Sequence, residues 1–123
     1  MKTISVKQPW SYLICSGIKD VENRSWKTNF RGRVLIHSSK KISDAIMSIE
    51  QQNNILFDIN KKMKFGSIIG SVEIVDCIIN SNSIWAEKGT YHWILKNPIL
   101  FDAPIENIKG KLNFWNYDID NLY

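Results

Sequence analysis

Gly17-Ile18-Lys19-Asp20-Val21-Glu22-Asn23-Arg24 sets a lysine, a glutamate and an arginine close behind a glycine. The segment before it, from Pro9 to Ser16, reads as a short amphipathic helix. Pro9 suits a first helical turn, where its missing N–H does no harm. Trp10, Leu13, Ile14 and Gly17 follow helical spacing, and Gly17 fits the C-terminal stop. Residues 20 to 24 then read as a strand. Alternate side chains of a strand share a face, so Glu22 and Arg24 point the same way. Lys19, at the glycine bend, is able to swing to either side. A helix end, a glycine stop and three charges together build a polar cleft at an element boundary. The competing reading is a solvated surface run, in which an exposed ion pair contributes only ~0–1 kcal/mol.

Outward from this stretch, short strands dominate. Residues 3 to 7 and 32 to 37 read as strands, the second alternating Arg33, Leu35 and His37 against Val34 and Ile36. Ser43 is the expected N-cap of a helix of about ten residues, with Ile42, Ile46 and Ile49 on its apolar side. Residues 53 to 65 carry no clear period. Residues 67 to 79 give the strongest strand signal; both faces are mostly apolar, which predicts a central position. Residues 91 to 95 read as a further strand ended by Asn97-Pro98, and residues 113 to 119 as the last. Many short strands with one or two helices predict an α+β fold, a small mixed β-barrel with peripheral helices. The 123 residues make one domain, 1–123, long enough for a modest core.

Composition narrows the classes. No apolar run approaches the ~20 residues of a membrane helix, and the N-terminus lacks a signal-peptide layout. A cytoplasmic location with no membrane partner is expected. Cys15 and Cys77 form no C-x-x-C pair, and His37 and His92 lie far from both in sequence, so no ligand spacing supports a metal site. Both cysteines read as small buried apolar residues. The formal charge of +4 suits a phosphate-bearing partner. Lys19, Arg24, Lys27, Arg31, Arg33, Lys40 and Lys41 fall in one stretch, and Lys61, Lys62 and Lys64 form a second cluster. Neither is dense enough to prove nucleic-acid binding.

Glu73 stands on a strand face with Ile69, Ser71, Val75, Cys77 and Ile79. A carboxylate among apolar neighbours needs a cation or donor, because desolvation disfavours its charged form. The expected partner is Lys19. Such a pair either is a structural ion pair or is tuned for proton transfer. Trp10, Trp26, Tyr91 and Trp93 lie near the motif or on strands around the expected cleft. Trp93 and Trp115 are assigned to the core; Trp10, Trp26 and Tyr91 are candidates to stack on a planar ligand. His37 is read as a strand end, followed by a Ser38-Ser39-Lys40 turn suited to a phosphate. No glycine-rich phosphate loop and no Ser/His/Asp or Cys/His set is evident.

The pattern Gly-x-Lys-x-x-Glu-x-Arg at Gly17, Lys19, Glu22 and Arg24 resembles the ASCH domain family, within the PUA-like superfamily. Its flanks match at Ile4–Trp10 and Arg31–His37, and later segments at Gly70–Cys77, Tyr91–Leu95 and Gly110–Trp115. The resemblance covers nearly the whole chain, residues 40 to 65 least. It implies a PUA-like barrel that binds RNA or a modified nucleoside, with no cofactor and no metal. Lys19, Glu22 and Glu73 are the candidate catalytic residues. Trp10, Arg24, Trp26, His37, Ser38, Lys40 and Tyr91 are the candidate ligand-binding residues. Similar small proteins hydrolyse N4-acetylcytidine with a lysine in this motif, a threonine three residues on and a glutamate on a later strand. Lys19 and Glu73 match the first and last, but Glu22 replaces the threonine, and a carboxylate differs from a hydroxyl in charge and reach. The implied alternatives to simple binding are thus a metal-independent amidohydrolase of N4-acylated cytidine or cytosine, and a single-strand ribonuclease.

Overall fold

Alternating apolar residues give six strands in the computed structural model, which describes residues 1–119. They are β1 (Lys2–Gln8), β2 (Val21–Arg24), β3 (Gly32–Ile42), β4 (Ser67–Ile78), β5 (Tyr91–Ile105) and β6 (Phe114–Asn116). Two short helices, α1 (Trp10–Cys15) and α2 (Ile49–Asn53), and a 3₁₀ turn at Ile59–Lys61 lie between them. Residues 120–123, assigned by the sequence to the same domain, lie outside the described residues. The strands form one mixed sheet in the order β2-β5-β4-β3-β1-β6. β1 and β3 are parallel, and all other pairs are antiparallel.

β4 is buried on both faces along its first half and lies inside the sheet, as its apolar run requires. Helix α1 packs on it through Gly70. A Cβ there would come within 2.1 Å of the Ile99 carbonyl oxygen and 2.8 Å of Cys15 Sγ. Ile4, Val6, Ile14, Cys15, Val34 and Ile36 fill the main core with Ile69, Val72, Ile74, Trp93 and Leu95. Cys77 is only partly buried, unlike Cys15.

The sheet is not a closed barrel. No ladder joins β2 to β6 among the described residues, so the two stay edges. They are too short for closure, at four and three residues. Side chains bridge the gap instead. Phe114 of β6 stacks on Trp93 of β5 at 5.4 Å and 19°, and Arg24 of β2 donates to the Ser5 carbonyl of β1 at 2.9 Å.

Three local expectations are corrected. Residues 43–48 are irregular, and α2 begins after Ser48, whose hydroxyl and Gln51 form a reciprocal capping box. Ser43 does not cap it; Ile42, Ile46 and Ile49 are exposed rather than packed. β5 does not end at Asn97-Pro98. Asn97 takes φ 52°, and a register shift between Ser71 and Glu73 absorbs the extra residues. β2 covers only Tyr91–Ile94 of β5, so Pro98 has a free edge where its missing N–H breaks no ladder. Finally, Ser38-Ser39-Lys40 is no turn; β3 runs through it to Ile42.

Candidate functional site

Helix α1 ends in a Schellman motif, and that motif places Lys19. Gly17 takes φ +85°, a conformation open to glycine without cost. Its N–H donates to Ile14 O at 3.1 Å, and the Ile18 N–H donates to Leu13 O at 3.0 Å. The Lys19 N–H shares the Leu13 carbonyl at 2.9 Å. The lysine therefore leaves the helix end in a fixed direction, and it is only 4% exposed. Nζ donates to the Val21 carbonyl oxygen, lies 3.6 Å from Glu22 Oε1 and sits 5.8 Å from the centre of the Trp10 ring. Burial pushes the ammonium pKa below its ordinary value, and the neighbouring Glu22 opposes that shift.

Glu22 and Arg24 share a face of β2 and touch. Arg24 donates to Glu22 Oε2 from Nε at 3.1 Å and from Nη2 at 2.8 Å. Its guanidinium also lies 5.8 Å from the Trp93 ring centre. The buried Glu22 carboxylate thus holds Lys19 on one oxygen and Arg24 on the other. Multiple partners of this kind offset the several kcal/mol that burying a charge costs.

Above the lysine opens a cavity of about 490 Å³, a volume that suits a small organic ligand. Trp10, Lys19, Glu22, Trp85 and Glu87 line it, together with Ser43, Ala45, Ile46, Ser48 and Gln51. Trp10 and Trp85 meet edge to face at 6.3 Å and 70°. Asn23 secures the Trp85 loop. Its Nδ2 donates to Trp85 O at 2.9 Å, and its Oδ1 accepts from the Glu87 N–H at 3.0 Å. Gln51 Nε2 donates to Ile84 O at 2.7 Å, tying α2 to the same loop. Sequence reasoning missed Trp85, Asn23 and Gln51. Asn23 stands inside the motif, but its partners lie more than sixty positions away.

Other candidates fall elsewhere. Glu73 does not meet Lys19. Strand register sets it opposite Arg33, whose Nη2 lies 3.4 Å from Glu73 Oε1; Asn97 Nδ2 donates to the same oxygen at 3.3 Å. Glu73 is partly exposed, so the desolvation that demanded a buried partner is weak. Trp26 packs edge-on against Trp93 at 4.7 Å and Phe114 at 5.6 Å. Tyr91 pairs across from Arg24 at the start of β5 but does not line the cavity. His37 lies within β3, not at its end, and is buried. Its Nε2–H donates to Ile108 O at 2.7 Å, and Ser5 Oγ lies 2.9 Å from Nδ1. Burial pushes its pKa down. Ser38 is buried as well and donates to Ser67 O at 3.1 Å. His37 and Lys40 line a separate cavity of about 810 Å³.

Among the described residues no group of three or more His, Cys, Asp or Glu side chains is placed to hold a metal. No helix among them is long and apolar enough to cross a membrane. Chemically, the Lys19 cleft offers a buried donor beside a buried acceptor, walled by two indoles.

The profile of the ASCH domain family matches residues 4–105. The chain is 32% identical over 130 aligned residues to Activating signal cointegrator 1 of Homo sapiens. It is 31% identical over 130 residues to the protein of the same name from Mus musculus. Each match covers 94% of this chain but only 22% of the relative, so the chain spans about a fifth of the length of these curated proteins.

Proposed function

This chain belongs to the ASCH domain family, and on that premise we propose that its Lys19 cleft binds a nucleobase, presented by single-stranded RNA or as a modified nucleoside. The observation that carries the proposal is the buried Lys19–Glu22 pair at a 490 Å³ cavity that Trp10 and Trp85 also line. A base is planar, largely apolar on its faces and polar on its edge. The indoles suit the faces. The Lys19 ammonium is a donor for a ring nitrogen or carbonyl, and Glu22 is an acceptor for an exocyclic amine. A donor beside an acceptor matches N3 and the exocyclic amine of cytosine, N1 and the exocyclic amine of adenine, and equally O4 and N3–H of uracil. Because Glu22 already neutralises positive charge inside the cleft, a neutral base suits it better than a phosphate.

Titration of tryptophan fluorescence with cytidine and with uridine tests this. Both nucleosides should bind. Lys19→Met should lose binding while shifting stability by no more than about 1 kcal/mol. Trp10→Ala should lose binding and stability together, because Trp10 packs against both core clusters. Failure to bind either nucleoside, or undiminished binding by Lys19→Met, would reject the reading.

A second reading, metal-independent hydrolysis of N4-acylated cytosine, draws on one observation. Burial lowers the Lys19 pKa and so enlarges the fraction of neutral amine able to take a proton. In that scheme Glu22, the carboxylate 3.6 Å from Lys19 Nζ, acts in place of the threonine, and Glu73 stays with Arg33. The ultraviolet change of N4-acetylcytidine to cytidine decides it. Turnover lost in Lys19→Met establishes the enzyme; no turnover at high protein concentration leaves the binding role.

A further inference from the structure

β1 and β3 run parallel, so their C-terminal ends lie together. These ends carry Lys7, Lys40 and Lys41. β6 pairs antiparallel with β1, from Lys2↔Asn116 to Ile4↔Phe114. The loop just before β6, with Lys109 and Lys111, is therefore brought toward the same end. All five lysines are exposed and line the 810 Å³ cavity, and no carboxylate lines it. Among the described residues none of the five makes an ion pair.

The loop holding two of these lysines is fixed. The Ile108 N–H donates to Gly66 O at 2.9 Å, and the Ile108 carbonyl accepts from His37. Gly110 presses onto the sheet so closely that a Cβ would lie 2.7 Å from His37 Cε1 and from Ser5 Oγ. The lysines thus project from an anchored frame, and their mutual repulsion is a standing cost that an anion relieves. The groove also exposes an aromatic ring, Phe65, at 40% exposure. Cations interleaved with an exposed ring fit a single nucleic-acid strand, whose backbone takes the charge and whose bases stack. Two large apolar side chains of its lining are exposed, Phe65 and Leu112, whereas a membrane-inserting surface presents a whole apolar face outward.

The segment 39–46 joins this groove to the Lys19 cleft. Ser39, Lys40 and Lys41 line the groove, while Ser43, Ala45 and Ile46 line the cleft. We propose that the five-lysine groove docks the phosphodiester backbone of a single strand whose base enters the Lys19 cleft. The strand's continuity rests on the nucleobase reading; the backbone site stands on its own charge and geometry.

The experiment measures anisotropy of a labelled oligocytidylate across a salt series. It uses wild type, Lys40→Glu with Lys109→Glu, the neutral pair Lys40→Gln with Lys109→Gln, and Trp10→Ala, with cytidine titrated in parallel. The charge-reversed pair should weaken oligonucleotide binding about tenfold or more, and the neutral pair should flatten the salt slope by roughly 0.7 for each phosphate no longer neutralised. Both pairs should bind cytidine as wild type does. Groove variants that bind the oligonucleotide with wild-type affinity and slope would overturn the proposal, as would a wild type that fails to bind it at low salt. Binding of wild type, but not the charge-reversed pair, to vesicles of equal parts phosphatidylserine and phosphatidylcholine, without oligonucleotide binding, would overturn it in favour of a lipid surface. If the groove variants lose the oligonucleotide but wild type ignores cytidine, the groove stands and the nucleobase reading falls.

Discussion

The Lys19 cleft and the lysine groove both present lysine, and they handle charge in opposite ways. In the cleft, Glu22 lies between Lys19 and Arg24, and both Lys19 and Glu22 are buried. In the groove, five exposed lysines face one cavity with no carboxylate among its lining residues. Charge that is neutralised internally holds a shape and can select among neutral ligands. Charge left open attracts anions of any sequence and responds to salt. The first arrangement is built for reading and the second for holding.

The sharpest way to break this contrast is Glu22→Ala. It leaves two cations without their shared carboxylate, and truncating one partner of a buried pair costs about 3–5 kcal/mol. Urea denaturation should show that loss; a change under about 1 kcal/mol would make the cleft an ordinary surface pair. Next comes Gly110→Ala, which forces a methyl into His37 and Ser5. Overpacking of this kind costs about 1–3 kcal/mol, and it should also weaken oligonucleotide binding by displacing the loop with Lys109 and Lys111. A variant with wild-type stability and affinity would show that the loop's anchoring is unimportant.

Lys19→Met sharpens the comparison through pH. The folded-state pKa of Lys19 lies below its value in the unfolded chain. Between the two values the unfolded chain binds more protons, so the lysine's contribution to stability rises with pH through that window. The variant should flatten this alkaline rise. At neutral pH it should shift stability by no more than about 1 kcal/mol, because Glu22 keeps Arg24 and the thioether fills the site. Denaturation at stepped pH checks both. Smallest of all, Lys40→Glu with Lys109→Glu should leave stability within about 0.5 kcal/mol, as exposed substitutions do, while changing binding most. Calorimetric melting of that pair should therefore overlay the wild type.

How much of this was legible in the sequence follows from range. Helix α1, its stop at Gly17 and the shared face of Glu22 and Arg24 depend on neighbours within a few positions, and all were readable. The central place of β4 followed from its two apolar faces. The partner of Glu73 depended on register between β3 and β4, which set it opposite Arg33, and no local pattern carries that register. Barrel closure depended on edge length, and β2 and β6 proved too short. Asn97-Pro98 reads as a breaker, yet β5 bulges there beside a free edge and continues. The groove was the least legible feature. Its lysines come from three segments, and only the parallel pairing of β1 with β3 and the return of β6 gather them.

The central claim is a division of labour between the two regions, and amide chemical-shift mapping tests it most directly. Isotope-labelled protein would be titrated with cytidine and then with a short oligocytidylate. Cytidine should shift Trp10, the Lys19–Arg24 stretch and the Trp85 indole while leaving the groove unchanged. The oligonucleotide should shift the same signals and add Lys40, Lys41, Lys109 and Lys111. Cytidine shifts centred on the groove, or oligonucleotide shifts that never reach it, would contradict the account.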